Sequence, residues 1–269
     1  MNIFRLEVRN LRKGAIISSL VICGFILVML LFFPSMANES MQKLANAKLD
    51  GVSPSLLKAL GLSTIPDFSI ITNYFGYVIQ FITLGVMVII VQQSTNSLIK
   101  EETDGTIEYL FSKPVSRGGI FVQKVLTIFA YILFLHISFF IITVIGYLMV
   151  TDLTFIEIIS EAFVLFGASL FVGLIFSSIG ILCSTIIKSS KSATGITIGI
   201  VFGTFILGIM SVIVSDLDFL IWLSPMEWIK SEKLMSSGIL IKEWIVGITV
   251  MLAAISLAYF KYNKKDLLI

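Results

Sequence analysis

Apolar residues gather into six long runs, at residues 15–33, 69–92, 125–150, 162–187, 193–214 and 241–260, and nearly all charge lies between them. Each run meets or approaches the roughly 20 residues that a helix needs to cross about 30 Å of hydrocarbon. The pattern predicts an all-α membrane protein whose six transmembrane helices form a single transmembrane domain over residues 1–269. Residues 1–13 set Arg5, Arg9, Arg12 and Lys13 against Ile3, Phe4, Leu6, Val8 and Leu11, the pattern of a short basic amphipathic helix lying along a membrane face. Two longer polar intervals, 34–68 and 215–240, read as loops on the other side. Within the first, Ser53 as cap and Pro54 at the first helical position start a small helix with Leu56, Leu57 and Leu60 on one face and Gly61 as its stop. The second span is expected to run on as helix to Glu102.

Composition closes off other classes. With 57% hydrophobic and 13% charged residues and a mean hydropathy of +1.01, this is not a soluble domain. Ser35-Met36-Ala37 resembles a small-x-small cleavage site, but the 19 apolar residues at 15–33 exceed the roughly 7–15 of a signal segment and favour a retained span. Cys23 and Cys183 both lie inside apolar runs and read as small buried hydrophobes rather than a disulfide. Charge then sets orientation. With both termini cytoplasmic, 13 of the 19 Lys and Arg fall inside and 11 of the 17 Asp and Glu fall outside, as the positive-inside rule requires. Trp222, Trp228 and Trp244 fall in or beside the last outer loop, where interface anchors belong. The expectation is a multi-pass protein of the cytoplasmic membrane.

One charge-dense interval keeps an apolar stripe: residues 100–119, on the cytoplasmic side. Gly105 can end the helix that extends from the second span. Thr106 can cap a new helix of about two turns in which Ile107, Leu110 and Phe111 share a face by i, i+3, i+4 spacing. Pro114 stops it, and Ser116 can cap the third span. A connector resting on lipid is the plainer account, but Glu101, Glu102, Asp104 and Glu108 would be repelled by an anionic inner leaflet. The stripe therefore reads as a surface for a protein partner.

Other candidates are sparser. No G-x-x-x-x-G-K-[ST] or Gly-rich phosphate turn occurs, so ATP-driven work must be powered by another chain. His136, the only histidine, lies near the middle of the third span, either as a neutral imidazole bonded to a neighbouring helix or as a functional group. Metal ligation is not expected, since no second His or Cys pair stands at ligand spacing. Asn73, Tyr77, Gln80 and Thr83 share one face of the second span, which either glues helices together or lines a substrate path. Gly195, Gly199 and Gly203 form G-x-x-x-G-x-x-x-G on the fifth span, a groove where another helix can approach, in this chain or a second copy. Glu101-Glu102 beside a span suggests a glutamate-dependent intramembrane protease, but the Arg and the histidines that chemistry needs are missing.

The stretch from Glu101 to Arg117 resembles the cytoplasmic loop of the permease subunits of type-2 ABC exporters, loosely E-E-x-x-G-T-x-E-x-L-x-S-x-P-V-S-R. Glu101-Glu102, Gly105-Thr106, Glu108, Leu110, Ser112 and Pro114-Val115-Ser116-Arg117 match it in order. The six-span layout, the basic N-terminal segment, Leu223-Ser224-Pro225 and the closing Lys264-Lys265-Asp266-Leu267 are similar too. The resemblance implies that residues 1–13 are an elbow helix and residues 106–111 a coupling helix. It also implies a dimer with a second permease copy or a paralogue, and a separate ABC ATPase subunit that holds ATP and Mg. Glu101, Glu102, Gly105, Thr106, Ile107, Glu108, Leu110, Phe111, Pro114, Ser116 and Arg117 would form the ATPase-coupling interface. This chain would bind no cofactor and no nucleic acid, and would carry no catalytic residue. Residues 225–234 would form short helices that partly re-enter the outer leaflet. The cargo implied is an antibiotic, an amphipathic peptide or another hydrophobic compound moved outward. A non-transporting immunity or sensory subunit of an ABC complex would share the layout.

Overall fold

A computed structural model describes residues 3–49, 51–53, 56–57, 67–106, 115–187 and 189–264. Six helices are long and apolar enough to cross a membrane: α1 (Ile3–Met36), α3 (Ile71–Asn96), α5 (Arg117–Val150), α6 (Phe155–Ser184), α7 (Ser190–Ile213) and α10 (Ile241–Lys264). Shorter elements join them: α2 (Glu39–Leu49), α4 (Lys100–Thr103), a 3₁₀ segment at Ser215–Leu223, α8 (Pro225–Trp228) and α9 (Ser231–Ser237). No strand occurs among the described residues.

Most of the six helices outrun the apolar runs that predict them, because caps rather than the last apolar residue decide where a helix begins. Ser116 starts α5 by accepting the Gly119 N–H at 3.1 Å. Thr154 starts α6 with a reciprocal capping box: its hydroxyl accepts from the Glu157 backbone while the Glu157 carboxylate accepts the Thr154 N–H at 2.9 Å.

Three expectations need correction. The separate surface helix over residues 1–13 is not a separate element, since α1 runs unbroken from Ile3 to Met36. Gly14 alone does not stop it, and Glu7, the one acid of the first turns, is paired with Lys124 of α5. The second-span helix does not continue to Glu102. It ends at Asn96, where the Ser97 N–H bonds to Ser94 O, and helix resumes only at Lys100. In the first polar interval a helix at Glu39–Leu49 escaped the sequence reading because polar residues fill six of its 11 positions. The predicted cap at Ser53 is present, its hydroxyl accepting the Leu56 N–H at 3.4 Å. Pro54, Leu60 and Gly61 of that predicted helix lie outside the described residues.

Most of α6 and α3 is buried, while α1, α7 and α10 turn most of their surface outward. Glycine lets the central helices meet. A Cβ on Gly180 of α6 would stand 2.8 Å from Ser94 Cβ of α3, one on Gly247 of α10 would stand 2.4 Å from Phe171 Cζ of α6, and one on Gly146 of α5 would stand 2.3 Å from Leu30 Cδ1 of α1. The start of α1, the start of α5 and the end of α10 share one end of the bundle, here the terminal end. There Ile3 packs on Ile120, Phe4 N–H donates to Gln123 Oε1 at 3.1 Å and the Tyr262 ring meets Phe121.

The far end is plugged by α8 and α9. Pro225, Met226, Glu227 and Trp228 are all buried, and the Trp228 indole donates to Ile221 O at 2.9 Å. Glu227 pairs with Lys230 at 2.7 Å, and Glu243 at the start of α10 pairs with Lys233. Gly76 of α3 and Gly208 of α7 make room for the plug: a Cβ on Gly208 would meet Ser224 Oγ at 2.4 Å and Glu227 Cγ at 2.7 Å, whereas one on Gly199 meets nothing within 4 Å.

Gly-to-Ala in a helix ordinarily stabilises by about 0.5–1 kcal/mol, and overpacking costs about 1–3 kcal/mol. The two sites should therefore differ in sign in the dispersed monomer: Gly208→Ala lowers its melting temperature, and Gly199→Ala leaves it level or raises it.

Candidate functional site

The break between α3 and α4 is where the terminal end is tied together. Residues 97–103 leave the helical path of α3, so their backbone groups need partners from elsewhere. The Leu98 N–H donates to Ser184 Oγ of α6 at 2.9 Å. Ile99 is fully buried against Ile187, on the link between α6 and α7, and Ala193 in the first turn of α7. The Thr103 hydroxyl donates to Ile99 O at 3.1 Å and accepts from the Ser190 backbone at 3.2 Å.

The other side of the break is held by charge. Lys124, two turns into α5, has a side chain only 2% exposed. Its ammonium donates to Ser97 O at 2.7 Å and to Glu101 Oε1 at 2.6 Å, and it faces Glu7 Oε1 of α1 at 3.1 Å. A lysine ammonium has three donors, and three acceptors stand around it. One buried cation thus joins α1, the break, α4 and α5. Beside it lies a polar cavity of about 50 Å³ reached by Asn96, Gln93 and Lys100. The cavity exceeds the roughly 10–15 Å³ that a water requires, and Asn96, one of its lining residues, has a buried Oδ1 with no protein partner among the described residues.

From this platform the chain turns outward. Gly105 takes φ +67°, the left-handed conformation that glycine tolerates at a helix end. The Thr106 N–H reaches back to Glu101 O at 2.9 Å, closing a Schellman turn on the residue whose side chain grips Lys124. Gly105, Thr106, Ser116 and Arg117 are all exposed. Ile107, Glu108, Leu110, Phe111 and Pro114 lie outside the described residues. Of the predicted coupling residues, Glu101 is therefore the one seen inside the charged cluster.

Glu7 and Lys124 are missing from the sequence-derived site. The signal for Glu7 was its being the only acid in an otherwise basic segment. Lys124 reads from sequence as one more base at a span boundary.

The remaining candidates are dispersed. His136 is fully buried, with Nδ1 2.9 Å from Ile132 O and Nε2 3.1 Å from Ser169 Oγ on α6. A carbonyl only accepts, so Nδ1 carries the proton, and the contact of Nε2 with the serine hydroxyl joins two helices. Asn73 Nδ2 donates to Asp67 O at 3.1 Å, the Tyr77 ring lies between Phe68 and Phe81, Gln80 is half-buried and Thr83 is buried. Gly195, Gly199 and Gly203 of α7 have nothing within 4 Å of a built Cβ, so that groove is unused among the described residues. Cys23 and Cys183 are free and half-buried.

A family model described as ABC-2 family transporter protein matches residues 1–267. No curated protein matches the sequence at a significant level.

Removing one partner of a buried ion pair costs about 3–5 kcal/mol because it strands the other charge, whereas replacing the whole set by neutral groups can be close to neutral. Lys124→Met should accordingly lower thermal stability sharply, and adding Glu7→Gln and Glu101→Gln to it should restore most of the loss. A triple variant no more stable than Lys124→Met would show that the three groups do not act as a unit.

Proposed function

The chain belongs to the ABC-2 transporter family, and on that premise we propose that it is the permease subunit of an ATP-driven exporter, worked by a separate ABC ATPase that docks on residues 106–111. The observation that carries this reading is the platform at 97–103. The loop predicted to meet the ATPase begins one Schellman turn after Glu101, and Glu101 is fixed through Lys124 to α1 and α5 while its neighbours are fixed to α6 and α7. A push on the loop reaches four membrane helices through short polar contacts. ATP and Mg sit on the partner, and this chain supplies motion rather than catalysis.

The distribution of Lys and Arg supports cytoplasmic termini in the cytoplasmic membrane, which puts the terminal end and its platform on the ATPase side. The open glycine groove on α7 supports dimerisation with a second permease copy or a paralogue, since close helix approach is what such a groove offers in lipid. The cargo class is amphipathic or hydrophobic, moved outward. Asn73, Tyr77, Gln80, Thr83 and the His136 region are the polar positions available to a path for it.

The test is co-expression of the tagged chain with ABC ATPases of the same genome, followed by affinity capture. The wild type retains one ATPase, and Leu110→Asp combined with Phe111→Asp reduces capture at least about tenfold, the equivalent of roughly 1.4 kcal/mol. Undiminished capture by the double variant contradicts the coupling assignment. Once the ATPase is in hand, candidate cargoes should stimulate its hydrolysis in the reconstituted complex; a non-transporting immunity or sensory subunit would show no stimulation.

A further inference from the structure

Next to the charged cluster, α1 and α5 part to leave a groove of about 230 Å³. Its walls are nearly pure hydrocarbon, formed by Leu11, Ala15 and Ile16 of α1 and Ala130, Tyr131 and Phe134 of α5. Arg12 stands among the lining residues. Arg5, Arg9 and Arg12 are all exposed, and none has an ion pair or hydrogen bond among the described residues. Their i, i+4, i+7 spacing places them on one stripe of α1, and Ile16, four residues on, carries that stripe into the groove. Glu7, the one acid on this part of α1, is buried and engaged by Lys124. Three unpaired guanidinium groups thus line the approach to an apolar slot with no acid in its walls. The slot is smaller than the roughly 300–1,000 Å³ of pockets for drug-sized ligands, so it suits one chain rather than a whole amphipathic cargo.

We propose that this groove is a binding site for one anionic phospholipid, with its phosphate on Arg9 and Arg12 and one acyl chain between α1 and α5. Guanidinium groups pair bidentately with phosphate oxygens and are weakly hydrated, which suits them to this boundary. A zwitterionic headgroup carries its own ammonium and gains less from the same arginines. A lipid so held braces α1 against α5 one turn away from Glu7. The proposal rests on the orientation given above only for the source of the lipid, since the cytoplasmic leaflet is the anionic one.

Native mass spectrometry of the full chain tests it, in detergent with equal amounts of phosphatidylglycerol and phosphatidylcholine of the same chains. The wild type should retain one phosphatidylglycerol per chain in preference to phosphatidylcholine. Arg9→Gln combined with Arg12→Gln should cut that retention at least about tenfold, the loss of one or two charge-assisted bonds. Ala130→Trp, or the milder filler Ala130→Leu if the first does not assemble, should reduce it with the arginines intact, and inorganic phosphate should not displace the lipid. Equal retention of the two lipids overturns the proposal. So does loss on removing the arginines without loss on filling the groove, which would indicate diffuse surface attraction. A filler that changes the number of subunits while the lipid stays bound also overturns it, because a second copy then covers the groove. Detergent has no leaflets, so a reversed orientation would leave this pattern intact. It would appear instead in the labelling of Arg5→Cys by a membrane-impermeant thiol reagent on whole cells.

Discussion

An ammonium group withdrawn from water must be surrounded by acceptors or it will not stay charged. Lys124 meets that demand with Ser97 O, Glu101 and Glu7, and the terminal end of the bundle is arranged so that all three arrive at one point. Ser97 O is free to accept because α3 ends at Asn96. Glu101 arrives because helix restarts at Lys100, and Glu7 because α1 continues as helix past Gly14 instead of turning along a surface. Buried ion pairs add little net stability over well-packed apolar groups. What this cluster contributes is position: it allows one arrangement of α1, α5 and the α3–α4 break and penalises the others.

The two ends of the molecule follow different logic. At the terminal end, polar contacts hold a short non-helical segment among four helices. At the far end, a chain of short helices is driven into the bundle and glycines on α3 and α7 give way to it. Between them α3 and α6 pack closely through Gly180 and Gly173, with His136 joining α5 to α6. A rigid middle and a charged platform at one end suit a protein that receives force at that end. The glycine groove on α7 and the basic stripe on α1 both face out of this arrangement.

Much of this was legible in the sequence because hydrocarbon thickness constrains it. The six runs mark the six helices, and the caps at Ser116 and Ser53 could be read from the polar residues beside them, whereas the capping box at Thr154 was not. Gly105 ends a helix in the left-handed region, but that helix is the short α4 rather than the extended second-span helix it was expected to end. His136 could be read as bonded to a neighbouring helix, although Ser169, 33 positions away, could not be named. The failures share one cause. Glu7 and Lys124 are 117 positions apart, and nothing local in either segment announces the other. The amphipathic pattern of residues 1–13 describes a helix with two unlike faces, but a face that grips another helix and one that floats on a membrane look alike in sequence. The break at residues 97–99 carries no Pro or Gly to betray it, being stabilised by partners on α5 and α6.

The central claim is that the segment leading to residues 106–111 moves with α1 because Lys124 binds both. Electron–electron resonance distances between spin labels at Asp104 and Arg5 test this without knowledge of the cargo, on a background with Cys23 and Cys183 replaced by serine. The measurement is made on the ATPase-bound complex, nucleotide-free and trapped with vanadate. The account predicts a narrow distribution that is the same in both states for the wild type and a broad one for Lys124→Met. A wild-type distance that changes between the states, or a Lys124→Met distribution indistinguishable from wild type, would contradict it.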